Sequence, residues 1–84
     1  MKHIIVSIYD KATEAYMRPW TALTENEAIR SFEDEVRREG SPINKHPDDY
    51  TLFMMGEWID NSGEIRVCEP KSLRRAHEIK KEEI

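Results

Sequence analysis

The side chains best suited to do chemistry in this sequence are one thiol and three imidazoles: Cys68, His3, His46 and His77. A cysteine beside a histidine can serve as an activated nucleophile. Nothing in the spacing couples any two of these residues, and a lone cysteine in a strand is more often a small buried apolar residue. Zinc sites draw ligands from short spacings such as His-x3-His or Cys-x2-Cys, and neither occurs. His46 with Asp48 and Asp49 comes nearest to a metal set. Asp48 or Asp49 capping a turn after a rigid His46-Pro47 step accounts for the same residues better. Gly40, Gly56 and Gly63 are too dispersed to cradle a phosphate. The sequence therefore predicts a protein that is not an enzyme and uses neither metal nor cofactor.

The chemistry that remains is non-covalent recognition. Residues 1–69 hold 8 basic and 14 acidic side chains, whereas residues 70–81 hold Lys71, Arg74, Arg75, Lys80 and Lys81 against Glu78 alone. The formal charge of −4 is thus the difference between an acidic body and a cationic C-terminal stretch. It excludes tight wrapping of duplex DNA, which needs many cationic phosphate contacts. It leaves one local patch able to meet phosphates, although a solvated helix face would look the same. Tyr9, Tyr16, Trp20, Tyr50, Phe53 and Trp58 lie outside the main helix. Solvent-facing rings on a small sheet can stack bases of single-stranded nucleic acid, at about 1–3 kcal/mol per base. Buried, the same rings are simply a core. The candidate nucleic-acid contacts are Lys45, Arg74, Arg75, Lys80 and Lys81 for phosphates, and Tyr16 and Trp20 for bases.

Positioning these residues falls to a small fold. Eighty-four residues form one domain over 1–84, with a thin core that buries about 60–65% of the unfolded surface. Residues 3–9 read as a strand with β-branched Ile4, Val6 and Ile8 on one face, and Ile5 partly covers the other. Residues 10–20 read as a loop or short extended segment, because Pro19 stops any helix and extends Arg18. Thr24-Glu25-Asn26-Glu27 is a capping box. Ala28, Ile29, Phe32 and Val36 then follow as an amphipathic stripe, giving a helix over 25–38 that Gly40 closes. Glu33–Arg37 and Asp34–Arg38 are spaced as i,i+4 ion pairs. Residues 41–49 read as a loop.

Residues 50–59 and 64–68 form a hairpin around a turn at 60–63, where Gly63 is free to take positive φ. Pro70 ends the second strand, and a last helix spans about 71–82, fraying over Lys80-Lys81-Glu82-Glu83. The expected fold is α+β: a three-stranded, mainly antiparallel sheet in the order β-α-β-β-α with helices on one face. Trp58 shares strand parity with Leu52, and Phe53 with Met55. One set should face the helices and the other solvent, a partner or a ligand. Apolar residues at both parities favour self-association.

No apolar run approaches the roughly 18–20 residues of a membrane span. The alternating N-terminal segment, with no cleavage site after it, reads as structure, not a leader. Cys68 has no partner for an internal disulfide, which suits a reducing compartment.

The blocks Ser7-Ile8-Tyr9-Asp10-Lys11, Glu14-Ala15-Tyr16, Pro19-Trp20, Glu27-Ala28-Ile29-Arg30-Ser31-Phe32 and Lys45-His46-Pro47-Asp48-Asp49-Tyr50-Thr51-Leu52-Phe53, with Gly56, Trp58, Asp60 and Gly63, are notable together. They resemble the small non-structural protein of gokushoviruses, single-stranded DNA microviruses of bacteria. The resemblance covers about residues 4–66; the C-terminal helix lies outside it. The residues that carry it include Tyr9, Asp10, Tyr16, Pro19, Lys45, His46, Pro47, Asp49, Tyr50, Phe53 and Gly56. It implies a protein made during infection in the bacterial cytoplasm, absent from the virion, often labelled DNA-binding, and acting around single-strand synthesis and packaging. It implies no catalytic residue.

Two functions are thus expected. The first is a phage accessory protein binding single-stranded DNA or the replication and packaging machinery. The alternative is a protein–protein module, dimeric or larger, that binds a viral replication or capsid protein or a host protein. Neither involves a membrane.

Overall fold

The computed structural model describes residues 1–82. The chain runs through β1 (Lys2–Asp10), β2 (Ala15–Tyr16), β3 (Trp20–Ala22), α1 (Glu25–Arg37), α2 (Pro42–Lys45), a 3-10 turn (Pro47–Asp49), β4 (Tyr50–Ile59), β5 (Glu64–Arg75) and α3 (Ala76–Glu82). The expected α+β class holds, with an antiparallel sheet of five strands where three were expected. β1 is central. One edge pairs with β4 along its whole length. The other edge pairs with β3 at Ile4–Val6 and with β2 at Tyr9–Asp10. β5 lies outside β4.

β-branched residues at alternating positions make β1 a strand and give it a buried face. Ile4, Val6 and Ile8 join Leu52, Ala22 and the helical residues Ala28, Phe32, Val36, Ala76 and Ile79 in one core. Burying a side chain such as Phe32 or Leu52 contributes about 1.5–3 kcal/mol each. α1 begins as its capping signal directs: the Thr24 hydroxyl accepts from the Glu27 amide at 3.1 Å. The Glu27 carboxylate reaches the amide of Leu23 at 3.3 Å, one residue beyond the Thr24 amide expected for it. Glu33 and Arg37 pair as spaced, at 3.9 Å. Arg38 instead bonds Glu35 through Nε at 3.1 Å, because Arg38 is already extended at the C-cap (φ −69°, ψ 114°). It has left the helical spiral that would aim it at Asp34.

The other departures share one cause: tertiary pairing overrides local signals. The 10–20 segment expected as a loop carries β2 and β3, too short to show periodicity but hydrogen-bonded to β1. The 41–49 loop holds α2, capped by the Ser41 hydroxyl accepting from the Asn44 amide at 3.0 Å, and then the 3-10 turn. β5 does not end at Pro70 but runs on to Arg75, so the last helix spans Ala76–Glu82, not 71–82. Pro70 is tolerated because β5 is an edge strand and because Pro70 sits in a register break. Met54 pairs with Lys71 and Gly56 with Val67, leaving residues 68–70 opposite Met55 alone. Glu83, expected in the frayed helix end, lies outside the described residues.

The same break corrects the parity expectation for β4. Ile5 pairs with Gly56 but Val6 with Met54, so Met55 is a bulge and the faces exchange across it. Leu52 and Met54 pack in the core. Phe53 and Trp58, of opposite parity, pair with Ser7 and His3 and so share the face without helices. Gly56 lets β5 come close at this point: a Cβ there would stand 2.4 Å from the Arg66 carbonyl oxygen. Gly63 takes φ 79° in the hairpin turn, as expected.

Candidate nucleic-acid interface

With α1 and α3 on one side, the sheet presents a second side built from the alternate residues of β1: His3, Ile5, Ser7 and Tyr9. The β1–β2 turn determines what lies at its far end. The Asp10 carboxylate accepts from the Ala12 amide at 2.9 Å, and Glu14 adopts φ 57°. This tight reversal returns Tyr16 to pair with Tyr9. Their rings lie 5.0 Å apart at 62°. Phe53 completes the cluster, edge-on at 5.7 Å from Tyr16 and 6.4 Å from Tyr9. Edge-to-face geometry of this kind favours a stable aromatic platform. Tyr16 keeps 41% of its surface exposed.

Thr51 sits between Tyr9 and Arg75 in register, so Arg75 belongs to the same face. Arg75 is exposed, and among the described residues its guanidinium forms no ion pair. Lys11 and Arg18, exposed on either side of β2, stand at the rim. Asp10, Glu57 and Glu64 are the carboxylates at paired positions of the sheet, and their register puts all three on the helix side, with Ile8 and Ile4. Asp60, 2.9 Å from His3, brings a carboxylate to the His3 end of the helix-free face.

The sequence-predicted contacts divide accordingly. Tyr16 and Arg75 share the helix-free face but stand on opposite edge strands, with Tyr9 and Thr51 between them. Arg74 does not join them: register places it on the helix side with Leu52. There it bonds Glu33 of α1 at 3.2 Å and also Glu82 of α3. Lys71 likewise meets Glu25 at 3.1 Å. These two cations are struts between β5 and the helices. Lys45 is the last residue of α2, which packs against α1 and α3. Lys80 and Lys81 are on α3. The cationic C-terminal stretch is therefore no single patch, since a strand and a helix send its members to different sides. Trp20 is half-buried against the core. Arg18, Lys11 and the pairing of Phe53 with the two tyrosines were missed in the sequence; the alternation of Ser7 and Tyr9 against Ile8 was the available signal.

The remaining motif residues shape the scaffold. His46 caps α2, and the Lys11 amide donates to the Asp49 carbonyl at 2.8 Å, tying the 3-10 turn to the β1–β2 turn. Burial and then the neighbouring Asp10 carboxylate push the Tyr50 phenol up. At the other end of the sheet, an apolar groove of about 340 Å³ is lined by Ile5, Pro19, Trp20, Thr21, Trp58 and Ile65. His3 stacks on Trp58 at 5.0 Å, and its Nε2 meets Asp60 at 2.9 Å. Hydrogen bonds from the N-terminal ammonium and from His3 hold the Asp60 carboxyl below its usual range. Cys68 is half-buried and free. Among the described residues, no group of three or more His, Cys, Asp or Glu is placed to hold a metal ion, and no helix is long and apolar enough to cross a membrane.

Residues 3–79 match the family described as Phage ORF5 protein. The chain belongs to this family. The match bears out the expectation of a phage protein and runs from β1 into α3, past the limit of the resemblance seen in the sequence. Membership in the Phage ORF5 family therefore spans both the aromatic cluster and the groove. No curated protein and no solved structure matches the chain.

Proposed function

We propose that this phage protein is a non-structural accessory protein of the gokushovirus type, acting without catalysis and binding single-stranded DNA on the helix-free face of its sheet. The observation that carries this reading is the composition of that face: Tyr9, Tyr16 and Phe53 in mutual contact, Arg75 in the same row beyond Thr51, and no carboxylate at a paired position of the face. Rings supply stacking without sequence preference. Arg75, with Arg18 and Lys11 at the rim, provides two or three phosphate contacts. That number gives a slope of log K against log salt of about −1.4 to −2.1 for single strands. Binding is then modest, on the order of micromolar, and salt-sensitive.

Titration of labelled single-stranded DNA at low and moderate salt tests this. Saturable binding with a shallow negative salt slope supports it; no binding at low salt removes it.

A second reading is favoured by the edge strand. Ile65 and Val67 on β5 are 63% and 87% exposed, which suits a self-association surface or a viral or host protein partner, including the phage replication or capsid proteins. Light scattering tests its self-association arm: a strict monomer removes self-association and leaves a viral or host partner as the alternative.

A further inference from the structure

The apolar groove and the aromatic cluster share the helix-free face. Ile5, in the groove, and Tyr9, in the cluster, stand four residues apart on β1, about 13 Å at the rise of a strand. One segment links them along the sheet edge. Tyr16 completes the cluster, Pro19, Trp20 and Thr21 build one wall of the groove, and exposed Arg18 lies between. The course of this segment is fixed at Met17. Its amide donates to the Ile8 carbonyl at 2.7 Å, and its carbonyl accepts from the Ser7 hydroxyl at 2.6 Å. Ser7 is almost wholly buried beneath it. A nucleic-acid strand following this segment meets rings at Tyr16, a guanidinium at Arg18 and an apolar slot lined by Ile5, Trp58 and Ile65.

We infer, resting on the single-stranded DNA reading above, that the groove is a second base site on the same track and that it selects thymine. Its lining is predominantly apolar, built from aliphatic and aromatic side chains with Thr21. Such a wall offers little hydrogen-bond code for base edges. It distinguishes bases by apolar contact, and thymine alone among the DNA bases presents a methyl group. Arg18 bridges the two base sites through the intervening phosphates.

The chain has two tryptophans, and both line the groove, so intrinsic tryptophan emission reports its occupancy. The test titrates the whole protein at low salt with oligothymidylate and with oligodeoxyuridylate. Each is about ten nucleotides long, within the roughly 4–16 that a small single-strand-binding fold covers. The two probes differ only by the base methyl. Both should change the tryptophan emission, and thymidylate should bind about threefold to fourfold tighter for one buried methyl. Ile65→Ser removes an aliphatic wall at a position 63% exposed, where substitution spares the fold. It should abolish the preference while binding persists through Tyr16. Equal affinities in the wild type, or a preference that survives Ile65→Ser, overturn the thymine site and leave the single-stranded DNA reading standing. No binding of either probe overturns both.

Discussion

Replacing Tyr16 by alanine removes the most exposed ring of the aromatic cluster. In the folded protein that ring touches Tyr9 at 5.0 Å and Phe53 at 5.7 Å. Each edge-to-face pair contributes about 0.5–1.5 kcal/mol. Tyr16 is 41% exposed and lies on a two-residue strand, so the loss of stability should fall near the lower end, about 1 kcal/mol. The loss of binding should be larger. One stacking platform is worth about 1–3 kcal/mol per base, which raises Kd by roughly 5-fold to 140-fold. Tyr16→Phe keeps the ring and should bind within about twofold of the wild type. Fluorescence anisotropy of a labelled oligothymidylate at low salt measures both variants, with circular dichroism to show that each is folded. A folded Tyr16→Ala protein that binds as tightly as the wild type would refute stacking on this face. An equal loss in Tyr16→Phe would refute it too, by making the hydroxyl the contact.

Three further perturbations probe the scaffold. Arg74→Ala should lower stability by about 1–2 kcal/mol, because it frees the half-buried Glu33 and unties α3. Melting should fall at about 4–8 °C per kcal/mol with the salt slope of DNA binding unchanged; unchanged melting with a shallower slope would make Arg74 a phosphate contact instead of a strut. Gly56→Ala should cost about 1–3 kcal/mol by forcing β4 and β5 apart at the Arg66 carbonyl, and an unaltered melting temperature would show that the hairpin yields freely. The Asp60 carboxyl titrates below its usual range, so the stability it lends is present above its unfolded value and is lost as pH falls through the lowered folded value. Acetylating the N-terminus removes the larger cause, the ammonium. The Asp60 midpoint followed by NMR should then move up, and an unmoved midpoint would assign the effect to His3 alone.

What could be read in the sequence was whatever local chemistry decides. Ile4, Val6 and Ile8 marked a buried strand face, Thr24 and Glu27 a helix start, and Gly63 a hairpin turn, and each element stands there. What could not be read depends on partners far along the chain. Pro70 signals a strand end unless the strand is at an edge and bulged, which only the pairing with β4 reveals. Lys71 and Arg74 looked helical because Leu73, Ala76 and Ile79 have helical spacing. Their tertiary ion pairs to Glu25 and Glu33 accompany an extended backbone to Arg75. The site suffered most from the bulge at Met55. Without it, Phe53 and Trp58 belong to opposite faces; with it, they share one. The cations suffered similarly, because adjacent residues of a strand diverge. Arg75 reached the aromatic face while Arg74 turned to the helices.

The proposed binding surface is the helix-free face. Amide chemical shifts of isotope-labelled protein, followed while oligothymidylate is added, test it directly. The changes should gather on Ser7, Tyr9, Tyr16, Thr51, Phe53 and Arg75 and leave Ala28, Phe32, Val36 and Ile79 still. Changes centred instead on α1 and α3, or on Lys45 and Lys81, would contradict it.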